Sequence, residues 1–241
     1  MPSKFVLTGK KNYPFERDDM LNPKVSSRSS AFEHLQRYKY AAKRCRGKVL
    51  DLGCGTGYGA GILAKEGNIV YAIDNSQEAI DYAKKNYHGP QYICCSAEKL
   101  PFEDSFFDAV CAFEIIEHVQ NPEKVLKEIY RVLKRDGNLF ISTPNPRHLG
   151  NVIKHVIFRK SYPQKVNPKN IYHLKEFPYE EFVDLLQRKD FKIVSQFGQT
   201  LPLIPGLRIL DSLPFIYRIP SILGYFFPKY SITVTLYAKK E

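Results

Sequence analysis

The sequence predicts an α/β fold in which helices cover both faces of a seven-stranded, mostly parallel sheet with an antiparallel hairpin at one edge. Short apolar runs alternate with helical patterns between residues 48 and 143, and this alternation is typical of parallel sheets. A glycine-rich turn follows the first run, and two alternating strands lie in the last third. With 241 residues, we expect one domain with an N-terminal arm and helix (1–46), a core (47–146) and a substrate-side segment (147–241).

The N-terminal region changes character at Ala31. Residues 1–30 are polar and rich in turn-forming residues, so we expect an irregular arm there. From Ala31 onward, Phe32, Leu35, Tyr38 and Ala42 follow at helical spacing. This pattern predicts an amphipathic helix that ends before Gly47.

The middle of the chain alternates between strand and helix patterns. Predicted strands cover 48–52, 68–74, 91–95, 107–114 and 138–143. Between them, helices are predicted after the glycine-rich turn, over 76–86 with Ser76 at its start, and over 122–133 with Pro122 in its first turn. A turn is predicted at Asp136-Gly137, just before the fifth strand.

The last third departs from this alternation. It predicts a helix from about 178 to 189 and two strands, 191–198 and 230–238, that pair antiparallel at the edge of the sheet. The insertion between them, 199–229, combines large apolar side chains with five prolines and the cations Arg208, Arg218 and Lys229. Such a segment suits a substrate lid or an element lying on a membrane surface, and equally a local core or dimer contact.

Charge and composition limit the partners. The net charge is +11, yet residues 48–146 hold ten Lys/Arg against fourteen Asp/Glu, so the excess of basic residues lies in the flanks. Basic flanks suit an anionic partner, such as a phosphorylated substrate, lipid headgroups or nucleic acid, and equally a merely solvated basic surface. No segment has the length of a membrane span and the first ten residues lack the apolar stretch of a signal peptide, so we expect a cytoplasmic protein with peripheral membrane contact left open. The five cysteines lack metal-ligand spacing, and no metal is expected.

A cofactor site is indicated where the first strand meets the first core helix. Asp51, Gly53, Gly55 and Gly57 follow one another there, and glycines at such a turn let the backbone approach a ligand closely. An acid, Asp74, ends the second strand, where its carboxylate can accept hydrogen bonds from ribose hydroxyls. These features predict an adenosine-type cofactor without deciding between a dinucleotide and another adenosyl compound.

The sequence resembles the class I S-adenosylmethionine-dependent methyltransferases, and with them a Rossmann-like sheet. The resemblance rests on four motifs in order: VLDLGCGTGYG, YAIDNSQEAIDYAKKN, SAEKLPFEDSFFDAVCAFEIIEHV and LKEIYRVLKRDGNLFISTPN. The LPFEDSFFD stretch is similar to the small-molecule branch that includes quinone and sugar methyltransferases, and the N-terminal EHLQRYKYA helix resembles enzymes of glycan pathways. S-adenosylmethionine is therefore the expected cofactor.

The resemblance implies a role for each matching residue. Gly53, Gly55 and Gly57 would pass under the methionine part of the cofactor, with Asp51 orienting the loop. Asp74 with Asn75 would hold the ribose, and Ser96, Ala97 and Glu98 would contact the adenine. Phe113 and Glu114 would form the floor of the site, and Tyr38 beside Arg37 would close over the cofactor. Most members of the family have Asp where this chain has Ser96.

The expected reaction is O-methylation of a small anionic or lipid-linked acceptor, such as a sugar or a prenylated quinol. His118 is the first candidate for a general base because it follows the fourth strand, and His148 and His173 are further candidates. A nucleic-acid methyltransferase and a non-catalytic adenosyl-binding module remain alternatives, although base-modifying relatives carry Asn/Asp-Pro-Pro-aromatic where this chain reads FEII. A dehydrogenase would need a hydride-transfer constellation that the sequence lacks.

Overall fold

Seven strands alternate with helices along the described residues 28–158, 174–201 and 223–241 of this computed structural model. The strands are β1 (Lys48–Leu52), β2 (Ile69–Asp74), β3 (Gln91–Cys94), β4 (Phe107–Phe113), β5 (Leu133–Pro144), β6 (Phe191–Gln199) and β7 (Thr233–Lys240). The helices are α1 (Arg28–Ala42), α2 (Tyr58–Lys65), α3 (Gln77–Asn86), α4 (Pro122–Val132), α5 (Leu149–Phe158) and α6 (Tyr179–Gln187).

The strands form one sheet in the order β3-β2-β1-β4-β5-β7-β6. Neighbours from β3 to β5 pair parallel, whereas β7 lies antiparallel between β5 and β6. The predicted fold class is therefore confirmed, including the antiparallel pair at one edge. Since the strand order reverses between β1 and β4, a crevice is expected at the carboxyl ends of these two strands.

Apolar side chains cover both faces of the sheet. On one face, Phe107 packs with Leu126 of α4 and Phe182 of α6. On the other face, Leu63 of α2 and Ala41 of α1 pack in the same cluster as Phe140. Helices thus cover both faces of the sheet, which leaves the carboxyl ends of the strands as the place for a ligand.

The helix starts follow local capping. Ser76 precedes α3, and its Oγ accepts a hydrogen bond from the Ala79 amide at 3.3 Å. Asn121 precedes α4, and its Oδ1 accepts from the Lys124 amide at 3.0 Å. These side chains replace backbone acceptors that a first helical turn lacks, so both starts were readable from sequence.

Several predicted boundaries were wrong. Strand β5 begins at Leu133 instead of residue 138, because Leu133 already pairs with Phe107 of β4. Pairing then resumes only at Asn138, so residues 134–137 bulge out of the ladder at the predicted turn, where Asp136 has a φ of 59°. The last strand begins at Thr233 instead of residue 230, since residues 228–230 form a 3-10 turn. Helix α1 begins at Arg28, before the expected Ala31, and α5 was not predicted.

Some expectations lie outside the described residues. These are the arm at 1–27, His173, and residues 202–222 of the insertion, which include Arg208 and Arg218. Within the parts that are described, no helix combines the length and the apolar character needed to cross a membrane.

Candidate functional site

The glycine-rich turn begins directly after β1. The amides of Gly53 and Cys54 both donate to the Ile73 carbonyl of β2, at 2.9 and 2.8 Å, which fixes the turn at the carboxyl edge of the sheet. Gly55 has a φ of 50°, and a Cβ atom added there would meet nothing within 4 Å. The backbone at Gly55 therefore faces open space that a ligand can enter.

Asp74 is held rigidly at the end of β2. Its Oδ2 accepts a hydrogen bond from the Gly55 amide at 3.0 Å, and its Oδ1 accepts from the Ser76 amide at 2.9 Å. One carboxylate thus ties the glycine-rich turn to the start of α3. A carboxylate is an acceptor with about four lone-pair sites, which is the chemistry that binds a ligand's hydroxyl groups.

Asp51 and Tyr38 form a buried pair behind the turn. The Tyr38 hydroxyl donates to Asp51 Oδ1 at 2.9 Å. Burial raises the pKa of Asp51 to about 7, although the Tyr38 hydrogen bond opposes this shift. A Cβ on Gly59 would lie 2.0 Å from Tyr38 Cζ, so the glycine makes room for the ring.

Glu114 follows β4 in a left-handed conformation, with a φ of 52°. Its Oε1 lies 2.7 Å from Nη1 of Arg37, and its Oε2 lies 2.9 Å from Nε2 of His34. Burial alone would raise the pKa of Glu114, but the positive charge of Arg37 and the contacts with His34 outweigh burial and hold this pKa well below its usual range. Helix α1 therefore presents a cation and an imidazole to an ionised carboxylate.

A second acid nearby behaves differently. Glu117 is fully buried, and its Oε2 accepts from the Thr143 hydroxyl at 3.4 Å. Burial, and then the neighbouring Glu114, raise the pKa of Glu117 well above its usual range, which favours the protonated form of this group. Its backbone carbonyl accepts from the Leu174 amide at 2.8 Å, which fixes that residue at the cleft described below.

The loop after β3 provides the opposite wall. The Ser96 hydroxyl accepts from the Glu98 amide at 3.2 Å, and the Glu98 carboxylate accepts from the Asn121 amide at 3.1 Å. Further along this loop, the Arg131 guanidinium of α4 donates to the carbonyls of Leu100 and Phe102 at 3.0 and 2.7 Å. The loop is thereby attached to α4.

These elements enclose one cleft of about 680 Å³ at the carboxyl edge of the sheet. Eleven of the predicted site residues line it: Tyr38, Gly53, Gly55, Asp74, Asn75, Ser96, Ala97, Glu98, Phe113, Glu114 and His118. Asp51, Gly57 and His148 are not among the residues that line the cleft.

Sequence reasoning missed three polar residues of the cleft, His34, Tyr58 and Gln120. The Tyr58 hydroxyl lies 2.9 Å from Nδ1 of His34. The signal was present, because His34 precedes Arg37 and Tyr38 by one helical turn and Tyr58 follows Gly57 directly. What the sequence did not show was that α1 would bring His34 over the end of β4.

The cleft fits an adenosyl sulfonium compound. Open space above Gly55 leaves room for a ligand against the backbone. The Asp74 carboxylate accepts a hydrogen bond from the Gly55 amide beside this space, and Glu114, paired with Arg37, lines the same cleft. An elongated ligand that carries hydroxyl groups matches this distribution of acceptors.

Comparisons with known proteins support a class I S-adenosylmethionine-dependent methyltransferase domain in this chain. Residues 50–141 match the protein family described as "Methyltransferase domain". A "Probable S-adenosylmethionine-dependent methyltransferase" of Mycobacterium tuberculosis is 31% identical over 179 residues, which cover 74% of this chain and 60% of that protein. The chain thus contains a domain of this enzyme class, and the cofactor of the class is S-adenosylmethionine.

Two further similarities are informative. A "Ubiquinone biosynthesis O-methyltransferase" of Coxiella burnetii is 38% identical over 116 residues, covering 45% of this chain and 50% of that protein. A solved structure from Thermotoga maritima, described as a "SAM-dependent methyltransferase, possible histamine N-methyltransferase", superposes with a TM-score of 0.61 at 25% identity, covering 88% of this chain and 91% of the other. The chain spans only 60% and 50% of the lengths of the two curated relatives.

Proposed function

We propose that this protein transfers a methyl group from S-adenosylmethionine to a hydroxyl of a small acceptor that is anionic or lipid-linked. The observation that carries the proposal is the cleft itself, because it joins the glycine-rich turn, Asp74 and Glu114 at one edge of the sheet. Methyl transfer needs an acceptor oxygen held in line with the sulfonium methyl group, so a cleft that orients both partners supplies much of the catalysis.

Each predicted residue has a proposed contact with the cofactor. The turn of Gly53, Gly55 and Gly57 lies under the methionine portion, with Asp51 behind it. Asp74 and Asn75 accept the ribose hydroxyls, and Ser96, Ala97 and Glu98 border the adenine. Phe113 and Glu114 form the floor, and Tyr38 closes the site from α1.

Thermal unfolding tests the cofactor part of the proposal. S-adenosylmethionine and S-adenosylhomocysteine at a hundred times their Kd should each stabilise the protein by about 2.7 kcal/mol, whereas NAD should not. Asp74→Ala should weaken this stabilisation strongly. The control Asp81→Ala removes an exposed carboxylate from α3 and should leave it unchanged. Stabilisation by NAD alone, or by none of the three, would overturn the proposal.

Support for an O-methylated small acceptor comes from the relative that is named for ubiquinone biosynthesis. Basic flanks favour an anionic group on the acceptor. His118, the sequence-predicted base, lines the cleft next to Val119 and is proposed to contact this acceptor. Radiolabelled methyl transfer to quinols, sugars and RNA would separate the small-molecule reading from the nucleic-acid alternative, and absence of transfer to all three would favour a binding module.

We further propose peripheral contact with a membrane through the aromatic strip, defined here as residues 225–230. Its Tyr225, Phe226 and Phe227 are 52%, 68% and 51% exposed. The strip leads into β7, whose first residue Thr233 pairs with Pro144 at the carboxyl end of β5. The strip therefore lies at the same edge of the sheet as the cleft, and aromatic side chains favour the headgroup region of a bilayer.

Sedimentation with vesicles tests this contact. Phosphatidylcholine vesicles that contain phosphatidylglycerol should bind the protein, and added salt should weaken the binding. A Phe226→Ser/Phe227→Ser double variant should lose it. The control Ile69→Ser removes a similarly exposed apolar side chain, 53% exposed, at the opposite end of the sheet and should keep it. Equal binding by the double variant and the control would refute the proposed surface.

A further inference from the structure

Three side chains that line the cleft form a continuous hydrogen-bonded chain. The Tyr58 hydroxyl lies 2.9 Å from Nδ1 of His34, and Nε2 of His34 lies 2.9 Å from Oε2 of Glu114. The three residues belong to α2, α1 and the end of β4, so three separate elements converge on one imidazole. Both ring nitrogens are used by these contacts.

The direction of each hydrogen bond follows from the charge of Glu114. An ionised carboxylate can only accept hydrogen bonds, so Nε2 of His34 must carry a proton and donate it to Glu114. In a neutral imidazole the other nitrogen is then an acceptor, and Nδ1 accepts from the Tyr58 hydroxyl. The two hydrogen bonds are therefore donated in the same direction, from Tyr58 to His34 and from His34 to Glu114.

Burial and the neighbouring charges favour the neutral forms of His34 and Tyr58 before any reaction. Burial, and then the positive charge of Arg37, lower the pKa of His34, while Glu114 opposes them, so the ring is neutral near pH 7. Burial also raises the pKa of Tyr58 well above its usual range, with Arg37 opposing and Glu114 and Asp51 adding to the shift. A neutral phenol and a neutral imidazole thus stand beside an ionised carboxylate.

We infer that Tyr58 accepts the proton of the methyl acceptor and passes its own phenolic proton to His34, with Glu114 as the positioning residue. This inference rests on the proposed function. The acceptor oxygen forms its bond to the methyl carbon while the bond from carbon to sulfur breaks, and that electron pair stays on sulfur. The acceptor proton moves to Tyr58 Oη, the Tyr58 proton moves to His34 Nδ1, and the resulting imidazolium is paired with Glu114.

Nitrogen NMR can detect the hydrogen bonds of His34 without any methyl acceptor. In protein labelled with ¹⁵N-histidine near pH 7.5, His34 should be neutral with its proton on Nε2, and the Nδ1 resonance should shift in Tyr58→Phe because its hydrogen bond is lost. The control Tyr130→Phe removes a hydroxyl that bonds the Glu241 carbonyl and should leave the resonance in place. A doubly protonated His34, or a proton on Nδ1, would overturn the inference, because Nδ1 could then take no proton from Tyr58.

Two matched probe acceptors test the role in the reaction. The compound 4-hydroxybenzoate needs a base for its hydroxyl, whereas 3-nitro-4-hydroxybenzoate has the same anionic frame and a far more acidic hydroxyl. Tyr58→Phe and His34→Gln should slow methyl transfer to the first probe by about a hundredfold or more, and transfer to the second by much less. Added imidazole should partly restore His34→Ala, since His34 lines the cleft.

A merely structural role predicts a different result. Equal losses on both probes, without rescue by imidazole, would overturn the relay, and so would a selective loss confined to His118→Gln. Binding of S-adenosylhomocysteine should stay within a few-fold of wild type in Tyr58→Phe. If the wild-type protein did not bind S-adenosylhomocysteine, that would instead count against the proposed function. The NMR experiment would still show whether the hydrogen bonds from Tyr58 through His34 to Glu114 exist.

Discussion

Replacing Gly59 with alanine places one methyl group where a buried aromatic ring already lies. The added Cβ would be 2.0, 2.3 and 2.5 Å from three ring atoms of Tyr38. The ring cannot easily retreat, because it packs edge-on against Phe113 at 4.9 Å and its hydroxyl is bonded to Asp51. The substitution therefore has two opposite effects on stability: alanine has the higher helix propensity, and its methyl group overlaps the Tyr38 ring.

The two effects have estimable sizes. In a helix, alanine is favoured over glycine by about 1 kcal/mol. Overpacking a core costs about 1–3 kcal/mol, and overlaps this short with a pinned ring place Gly59→Ala near the upper limit. We therefore expect a net loss of about 2 kcal/mol in the free energy of unfolding.

Urea denaturation measures this difference, with Gly61→Ala as the matched control in the same helix. At Gly61 the nearest atom to an added Cβ is Tyr87 Cδ1, at 3.1 Å, and the Tyr87 side chain is only partly buried and can shift. Gly61→Ala should be neutral or slightly stabilising. If Gly59→Ala proved as stable as Gly61→Ala, the proposed packing of α1 on α2 would be refuted.

Three other predictions follow from the buried charge and the helix contacts. The pKa of Asp51 is raised to about 7 in the folded protein, so the folded state binds this proton more tightly than the unfolded chain does. The free energy of unfolding should therefore fall as the pH rises from about 4 to 7. Urea titrations of Asp51→Asn should show a flatter pH dependence and, at pH 8, a gain of up to about 4 kcal/mol over wild type. Arg131→Ala should release the carbonyls of Leu100 and Phe102, which hydrogen exchange would detect as faster exchange in that loop, whereas Arg131→Lys should release them less. Asn121→Ala should lower the free energy of unfolding by about 1 kcal/mol through loss of the α4 cap, and Asn121→Asp should retain it.

Much of the cofactor side could be predicted from sequence because it depends on short-range order. A buried strand, a glycine-rich turn and a helix occur within a few residues, so the position of Gly55 at the carboxyl edge followed directly. The same holds for Asp74, which simply ends the next strand. Local hydrogen bonds, such as the one from Gly55 to Asp74, then complete the geometry.

The part of the cleft around His34 and Glu114 depends on contacts that no local pattern contains. His34 and Glu114 are separated by 80 residues, and only the packing of α1 across β4 joins them. Glu114 also takes up a left-handed backbone, an unusual conformation for a residue other than glycine that its sequence context did not predict. Sequence reasoning therefore identified His118, which follows the strand directly and lines the cleft, but not the imidazole of His34, which another helix supplies.

The position of β7 between β5 and β6 also affects the order in which the chain can assemble. During synthesis β6 leaves the ribosome before β7, yet within the described sheet β6 pairs with β7 alone. The edge of β5 is likewise uncovered until Thr233 and the residues after it emerge. A nascent chain that pauses before this strand would expose the unpaired β6 and the open edge of β5 to chaperones or to one another, so translation speed along the codons of β7 should influence the yield of native protein.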